Sequence, residues 1–237
     1  MLNLVGFIFW FDFTYILIML PFLLLAGWAA MRVKSTFAKY SQVPSKSGLT
    51  GKEAAEIILR ASGIYDVTIR PVPGLLSDHY NPMNKTLNLS PEVLNGRSIA
   101  AIGVAAHEAG HAIQHARAYA PLQIRAALVP IVGFGSSLAF PMFLFGILFH
   151  IKSLILIGVI FYSLAVVFHL VTLPVEYDAS WRAIKILESS GILTEDEIPP
   201  VKKVLSAAGF TYVAATLVAI AELLYWVLRS GLLGGEE

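Results

Sequence analysis

Four stretches of this chain are long and apolar enough to cross a lipid bilayer, and they decide most of what it can fold into. A spanning helix needs about 20 apolar residues. The stretches lie near residues 4–31, 126–149, 153–175 and 206–228. Asp12 interrupts the first and Glu222 the last. Only 14% of the residues are charged, against about 25% in ordinary soluble domains, so much of the chain is expected to sit in lipid. The first stretch lacks a basic leader and outlasts the apolar core of a signal peptide, and it reads as a retained anchor. Asp12 and Glu222 are costly in lipid and are expected to face other helices.

The basic residues predict the orientation. Eleven lie between the first two stretches, from Arg32 to Arg125, and Arg182, Lys185, Lys202 and Lys203 lie between the third and fourth. Lys152 and Arg229 alone fall on the other side. Cytoplasmic loops carry the excess of Lys and Arg. Both polar regions are therefore expected in the cytoplasm, with both termini outside. The expected organisation is a first span at 1–31, a polar module at 32–125 and a two-span hairpin at 126–175. A second polar segment at 176–205 and a last span with a short tail at 206–237 complete it. Two spans separate the polar regions, so both emerge on one face of the membrane.

The module at 32–125 reads as a small α+β unit. Thr50-Gly51-Lys52-Glu53 is a capping-box pattern opening a helix that Gly63 ends. Tyr65 to Ile69 and Thr86 to Leu89 are predicted strands, joined through turn residues that include Pro73-Gly74 and Asn81-Pro82. Ser90-Pro91-Glu92 starts a short helix, and a longer one is expected from Ser98 to Tyr119.

That longer helix carries His107-Glu108-Ala109-Gly110-His111, an H-E-x-x-H pattern. Residues four apart on a helix share a face, so both imidazoles can reach one zinc ion. Glu108 is placed to act as general base towards a water molecule. There is no cysteine in the chain, so any metal must be held by His, Asp or Glu. A catalytic zinc takes three protein ligands and keeps one open position.

The third ligand lies elsewhere. His115 continues the four-residue spacing, but each step climbs a full turn along the axis, which carries it past a metal shared by the other two. It is expected beside the site, near substrate, or in plain packing. Glu176 is the better candidate. It stands where the third span re-enters the cytoplasm, on the membrane face that carries the His pair.

Several segments together resemble a known family. They are Asp78-His79-Tyr80, Leu89-Ser90-Pro91-Glu92, Ala105 to Gln114 around the motif, and Leu173-Pro174-Val175-Glu176-Tyr177-Asp178-Ala179-Ser180. The chain is similar in these to the YugP-like bacterial membrane zinc metallopeptidases, and more distantly to the HtpX heat-shock and CAAX prenyl proteases. The resemblance implies a multi-pass protein of the bacterial inner (plasma) membrane, with His107, His111 and Glu176 as ligands to one zinc per chain and Glu108 as base. In the wider group an Asp four residues after the ligand Glu supports a zinc-binding His. This chain has Ser180 there and Asp178 nearby.

The sequence reading is thus a mainly α membrane protein: four transmembrane helices with a small α+β, zincin-like cytoplasmic module carrying the motif helix. The expected function is zinc-dependent endopeptidase action on membrane-associated or misfolded polypeptides. The expected partners are that polypeptide and the bilayer, with no nucleic acid. His79, Tyr80 and Arg182 are candidates to stabilise the developing oxyanion, and a strand at 79–80 could pair with an extended peptide. An intramembrane site-2-type protease is an alternative, but its motif lies inside a span, whereas this one lies about fifteen residues before the second. A non-enzymatic scaffold with a structural metal is the other, and such a site is normally closed by four protein ligands.

Overall fold

Two physical demands shape this chain, apolar helices that need lipid and a polar module that needs its own core. The computed structural model describes residues 13–230. Its elements run α1 (Phe13–Ser41), α2 (Gly51–Ala61), β1 (Thr68–Pro71), β2 (His79–Asn81) and β3 (Thr86–Leu89). They continue as α3 (Pro91–Leu94), α4 (Ile99–Ala116), α5 (Ala120–Leu148), α6 (Lys152–Ser190) and α7 (Ile198–Arg229). The protein is mainly helical with a small mixed sheet. α1, α5, α6 and α7 are each long and apolar enough to cross a membrane. Asp12 and the start of the first apolar stretch lie outside the described residues.

The chain divides into two compact units. One holds residues 1–28, 125–171 and 212–237, and the other residues 29–124 and 172–211. In the first, α5 and α6 approach closely through glycines. A Cβ on Gly158 would lie 2.6 Å from the Phe143 ring, and one on Gly146 would lie 2.6 Å from Ile155. Small residues allow this kind of contact in lipid, where the hydrophobic effect does not drive helices together. Phe143 also stacks on Trp226 at 4.0 Å between ring centroids. Glu222 accepts a hydrogen bond from the Tyr162 hydroxyl at 3.2 Å, so this charge faces another helix. Large apolar side chains such as Phe134, Phe140, Ile160 and Leu228 stay exposed and form the surface that lipid would cover.

The second unit is built on α4. Ser98 caps it, accepting from the Ala101 amide at 3.2 Å. Alanine and glycine make up half of it, and the helix is buried from Ile99 to Gln114 except at Val104 and His107. Small side chains on every face let neighbours close in, and Ile58, Leu87, Leu89, Val93, Leu187 and Val201 pack around it in one core. Each fully buried Leu or Ile contributes roughly 1.5–3 kcal/mol relative to exposure. The capping box of α2 forms as its sequence predicts, with the Glu53 amide donating to Thr50 Oγ1 at 3.1 Å and Glu53 accepting from the Thr50 amide at 2.7 Å.

The sheet order is β1-β3-β2. β1 runs parallel to β3, and β2 runs antiparallel to it. β3 covers the predicted Thr86–Leu89, and its Leu87 and Leu89, two residues apart, point into the core. Other boundaries differ from expectation. β1 starts at Thr68, leaving Tyr65 81% exposed and outside the strand. α4 ends at Ala116, and Ala118 adopts a left-handed φ of 49°. The third strand, β2, is three residues long, too short for any alternation to show in the sequence.

α6 is longer than a span requires. It continues through Pro174 to Ser190, because proline inside such helices is tolerated where neighbouring groups satisfy the freed carbonyl. Its last part, from residue 172, belongs to the second unit. Two loops of that unit are joined where Glu197 accepts from the Lys46 amide at 2.8 Å and Asp196 pairs with the Lys46 ammonium at 2.7 Å.

Candidate metal centre

α4 and α6 meet at Gly110, between the two histidines. A Cβ there would lie 2.6 Å from the carbonyl oxygen of Ala179, inside van der Waals contact with backbone that cannot rotate away. Glycine is therefore needed to bring the helices to this spacing. Gly110→Ala is expected to destabilise the protein by about 1–3 kcal/mol, the usual cost of overpacking, and to weaken metal binding along with it. Thermal melting with and without zinc checks this; unchanged melting and affinity would show that the contact is looser than its geometry.

Across that contact stand three side chains. His107 Nε2 lies 3.3 Å from Glu176 Oε2, and His111 Nε2 lies 3.5 Å from the same oxygen. The two rings are 4.8 Å apart between centroids and nearly perpendicular, at 83°. One ligand atom from each residue falls within 4.8 Å of the other two. Glu176 is 2% exposed. A carboxylate this buried requires cationic or hydrogen-bonding partners, and here its oxygen faces two imidazoles. Two imidazole nitrogens and one carboxylate oxygen suit zinc, which binds three such ligands in catalytic sites. The donor set fits the ion.

Each histidine is held from behind. His107 Nδ1 is 3.0 Å from Ser180 Oγ, and His111 Nδ1 is 3.0 Å from Gln114 Oε1. Burial works against a charged His111. The hydrogen bond to Glu176 and the charges of Glu108 and Glu176 outweigh burial and raise its pKa above the usual value.

Glu108 is also buried, and its Oε2 accepts from the backbone amide of Tyr80 at 2.9 Å. β2 is thus an edge strand whose backbone reaches the acid of the motif. Asp78 anchors the start of that strand, accepting from the Ser90 amide at 2.7 Å and the Ser90 hydroxyl at 3.1 Å. Burial is the main influence on Asp78 and raises its pKa, with the Glu108 charge adding to it and the Ser90 bonds opposing it.

The remaining sequence candidates divide. The Tyr80 hydroxyl bonds Nδ1 of His115, near the end of α4, at 2.8 Å, and neither residue belongs to the group that could hold a metal. Burial, with the charge of Asp66, pushes the Tyr80 phenol up to about 12. His79 is tied to its own hairpin, with Nδ1 bonded to the Ser77 carbonyl at 2.9 Å and Nε2 to Asn88 at 3.2 Å. Arg182 donates to Asp178 at 2.5 Å and lies over the Tyr119 ring. Asp178 in turn accepts from Gln114. Sequence reasoning missed Gln114. The available signal was an amide side chain one turn after His111 on the motif helix.

Residues 15–231 match the model of a family described as "Putative neutral zinc metallopeptidase". The chain belongs to this family. Over 204 residues it is 50% identical to the "Putative membrane protease YugP" of Bacillus subtilis (strain 168), an alignment covering 86% of this chain and 91% of that one. No solved structure matches it. Membership supports zinc as the metal, a polypeptide as the substrate class and a multi-pass membrane protein.

Proposed function

We propose that the protein is a membrane-integrated zinc endopeptidase that cuts membrane-associated or misfolded polypeptides at the cytoplasmic face. The observation that carries this reading is the convergence of His107, His111 and Glu176 beside a buried Glu108. His107, His111 and Glu176 would hold one zinc per chain. When bound, zinc acts as a Lewis acid towards the scissile carbonyl and makes water acidic enough to ionise near neutral pH.

The chain's own groups do the rest. Glu108 takes the proton of the attacking water and later gives it to the leaving amine, a general acid–base role. The Tyr80 amide now bonded to Glu108 marks where the edge of β2 runs past the site. An extended substrate would add to that edge by backbone hydrogen bonding. Tyr80, with a phenol that stays protonated at neutral pH, is the better oxyanion donor among the three candidates. Its backbone amide already meets Glu108, and its hydroxyl would exchange the His115 bond for the oxyanion, whereas His79 and Arg182 are bonded to Ser77 and Asp178. Ser180 orients His107.

The zincin-like character of the second unit, which rests on its H-E-x-x-H helix beside a small sheet, and its cytoplasmic orientation, which rests on the fifteen-to-two asymmetry of basic residues, belong to the same proposal. Membrane vesicles test both at once. Inside-out vesicles carrying the chain are expected to hydrolyse an added soluble peptide, to stop with a chelator and to resume with zinc, while right-side-out vesicles leave it intact. Hydrolysis by right-side-out vesicles alone would reverse the orientation. No hydrolysis by either kind, in zinc-replete protein, would overturn the peptidase reading.

A further inference from the structure

Gln114 is fully buried, one turn after His111 on α4. A residue serving only to fill that space would be apolar, since burying an amide costs free energy unless its hydrogen bonds are replaced. Here they are replaced by three specific partners. Nε2 lies 2.7 Å from the backbone carbonyl oxygen of Val175 and 2.8 Å from Asp178 Oδ2. Oε1 lies 3.0 Å from His111 Nδ1. Val175 and Asp178 flank Glu176 on α6.

The partners determine which way the amide points. A carbonyl can only accept, and so can the Asp178 carboxylate, which also accepts from Arg182 at 2.5 Å. Both N–H groups of Gln114 are therefore committed to α6. Turning the amide over would set its oxygen 2.7 Å and 2.8 Å from two other acceptors, which is repulsive. The group facing His111 must then be the amide oxygen, an acceptor without a proton. The proton between them belongs to His111 Nδ1. Nε2 is left facing Glu176 at 3.5 Å.

We infer that Gln114 is a positioning residue. It keeps the His111 proton on Nδ1, presents Nε2 to the metal, and ties the motif helix to the turn of α6 that carries the carboxylate ligand. The two histidines are thus held differently. His107 is steadied by one hydroxyl from α6, whereas His111 is steadied by an amide that Asp178, Arg182 and Tyr119 brace in series. The ligands are set at their spacing before a metal arrives, and such outer partners are typically worth 10–100-fold in metal affinity.

This inference rests on reading His107, His111 and Glu176 as ligands, and the test separates the two. Full-length protein, wild type and Gln114→Met, is titrated with zinc against a competing chelator, and the metal-free forms are melted. Methionine keeps the volume and removes all three hydrogen bonds. The expected result is a 10–100-fold loss of zinc affinity, with the metal-free variant still melting cooperatively. Affinity within threefold of wild type would overturn the role of Gln114 alone, and a wild type without zinc would overturn the ligand reading instead. Should Gln114→Met fail to fold, nitrogen-15 spectra of the histidines in zinc-loaded wild type decide. A proton on His111 Nδ1 with the metal on Nε2 supports the inference; the metal on Nδ1 overturns it.

Discussion

Glu108→Gln is expected to keep its zinc and lose peptide hydrolysis by a factor of roughly 10²–10⁴, the range that a positioned acid or base contributes. At 1.36 kcal/mol per decade that is about 3–5 kcal/mol of barrier. Proton transfer and metal binding fall to different residues. Glu108 faces the Tyr80 amide and is not one of the three converging ligand groups. A glutamine of the same shape can still receive the amide bond, so the helix and the metal site stay formed. What it cannot do is take a proton from water. Turnover and zinc content measured on the same preparation check this, and a variant with full turnover would remove Glu108 from the chemistry.

Glu176→Ala is expected to do the opposite to the metal. It removes the oxygen on which both Nε2 atoms converge and leaves two imidazoles, one fewer ligand than a catalytic zinc uses. The loss of zinc affinity should exceed the 10–100-fold attached to an outer partner, and activity should fall with occupancy. The metal-free protein should survive, because the core around Val175, Ala179 and Ala183 is apolar and already packed. Zinc titration and melting distinguish loss of metal from loss of fold. Unchanged zinc binding would move the third ligand elsewhere.

How much of this was legible in the sequence depends on the range of the interaction. The spans were legible because each is a long uniform run, and the four long helices are where the apolar stretches predict them. The α2 cap was legible because Thr50 and Glu53 are three residues apart and need no tertiary partner. Glu176 was reachable by counting spans between polar regions, an argument about sides rather than distances. The geometry sharpens it by bringing Glu176 Oε2 to 3.3 Å and 3.5 Å from the two rings.

The parts that were not legible depend on packing between distant segments. Gly110 looks like an ordinary variable position of the motif until the Ala179 carbonyl is seen against it. Gln114 looks like the tail of a helix until Val175 and Asp178 appear on its other side. β2 is specified by Asp78 and by its pairing with β3, with only three residues of its own. Asp178 and Ser180 were both visible as candidates to support the site. Their separate tasks, bracing Gln114 and holding His107, follow only from the structure.

The most direct measurement is the zinc X-ray absorption spectrum of purified full-length protein, taken with its metal content. About one zinc per chain, with a first shell of two imidazole nitrogens, a carboxylate oxygen and an exchangeable position, is the result expected. A protein that binds no zinc would contradict the metal centre, and a zinc closed by four protein ligands would contradict its use in hydrolysis.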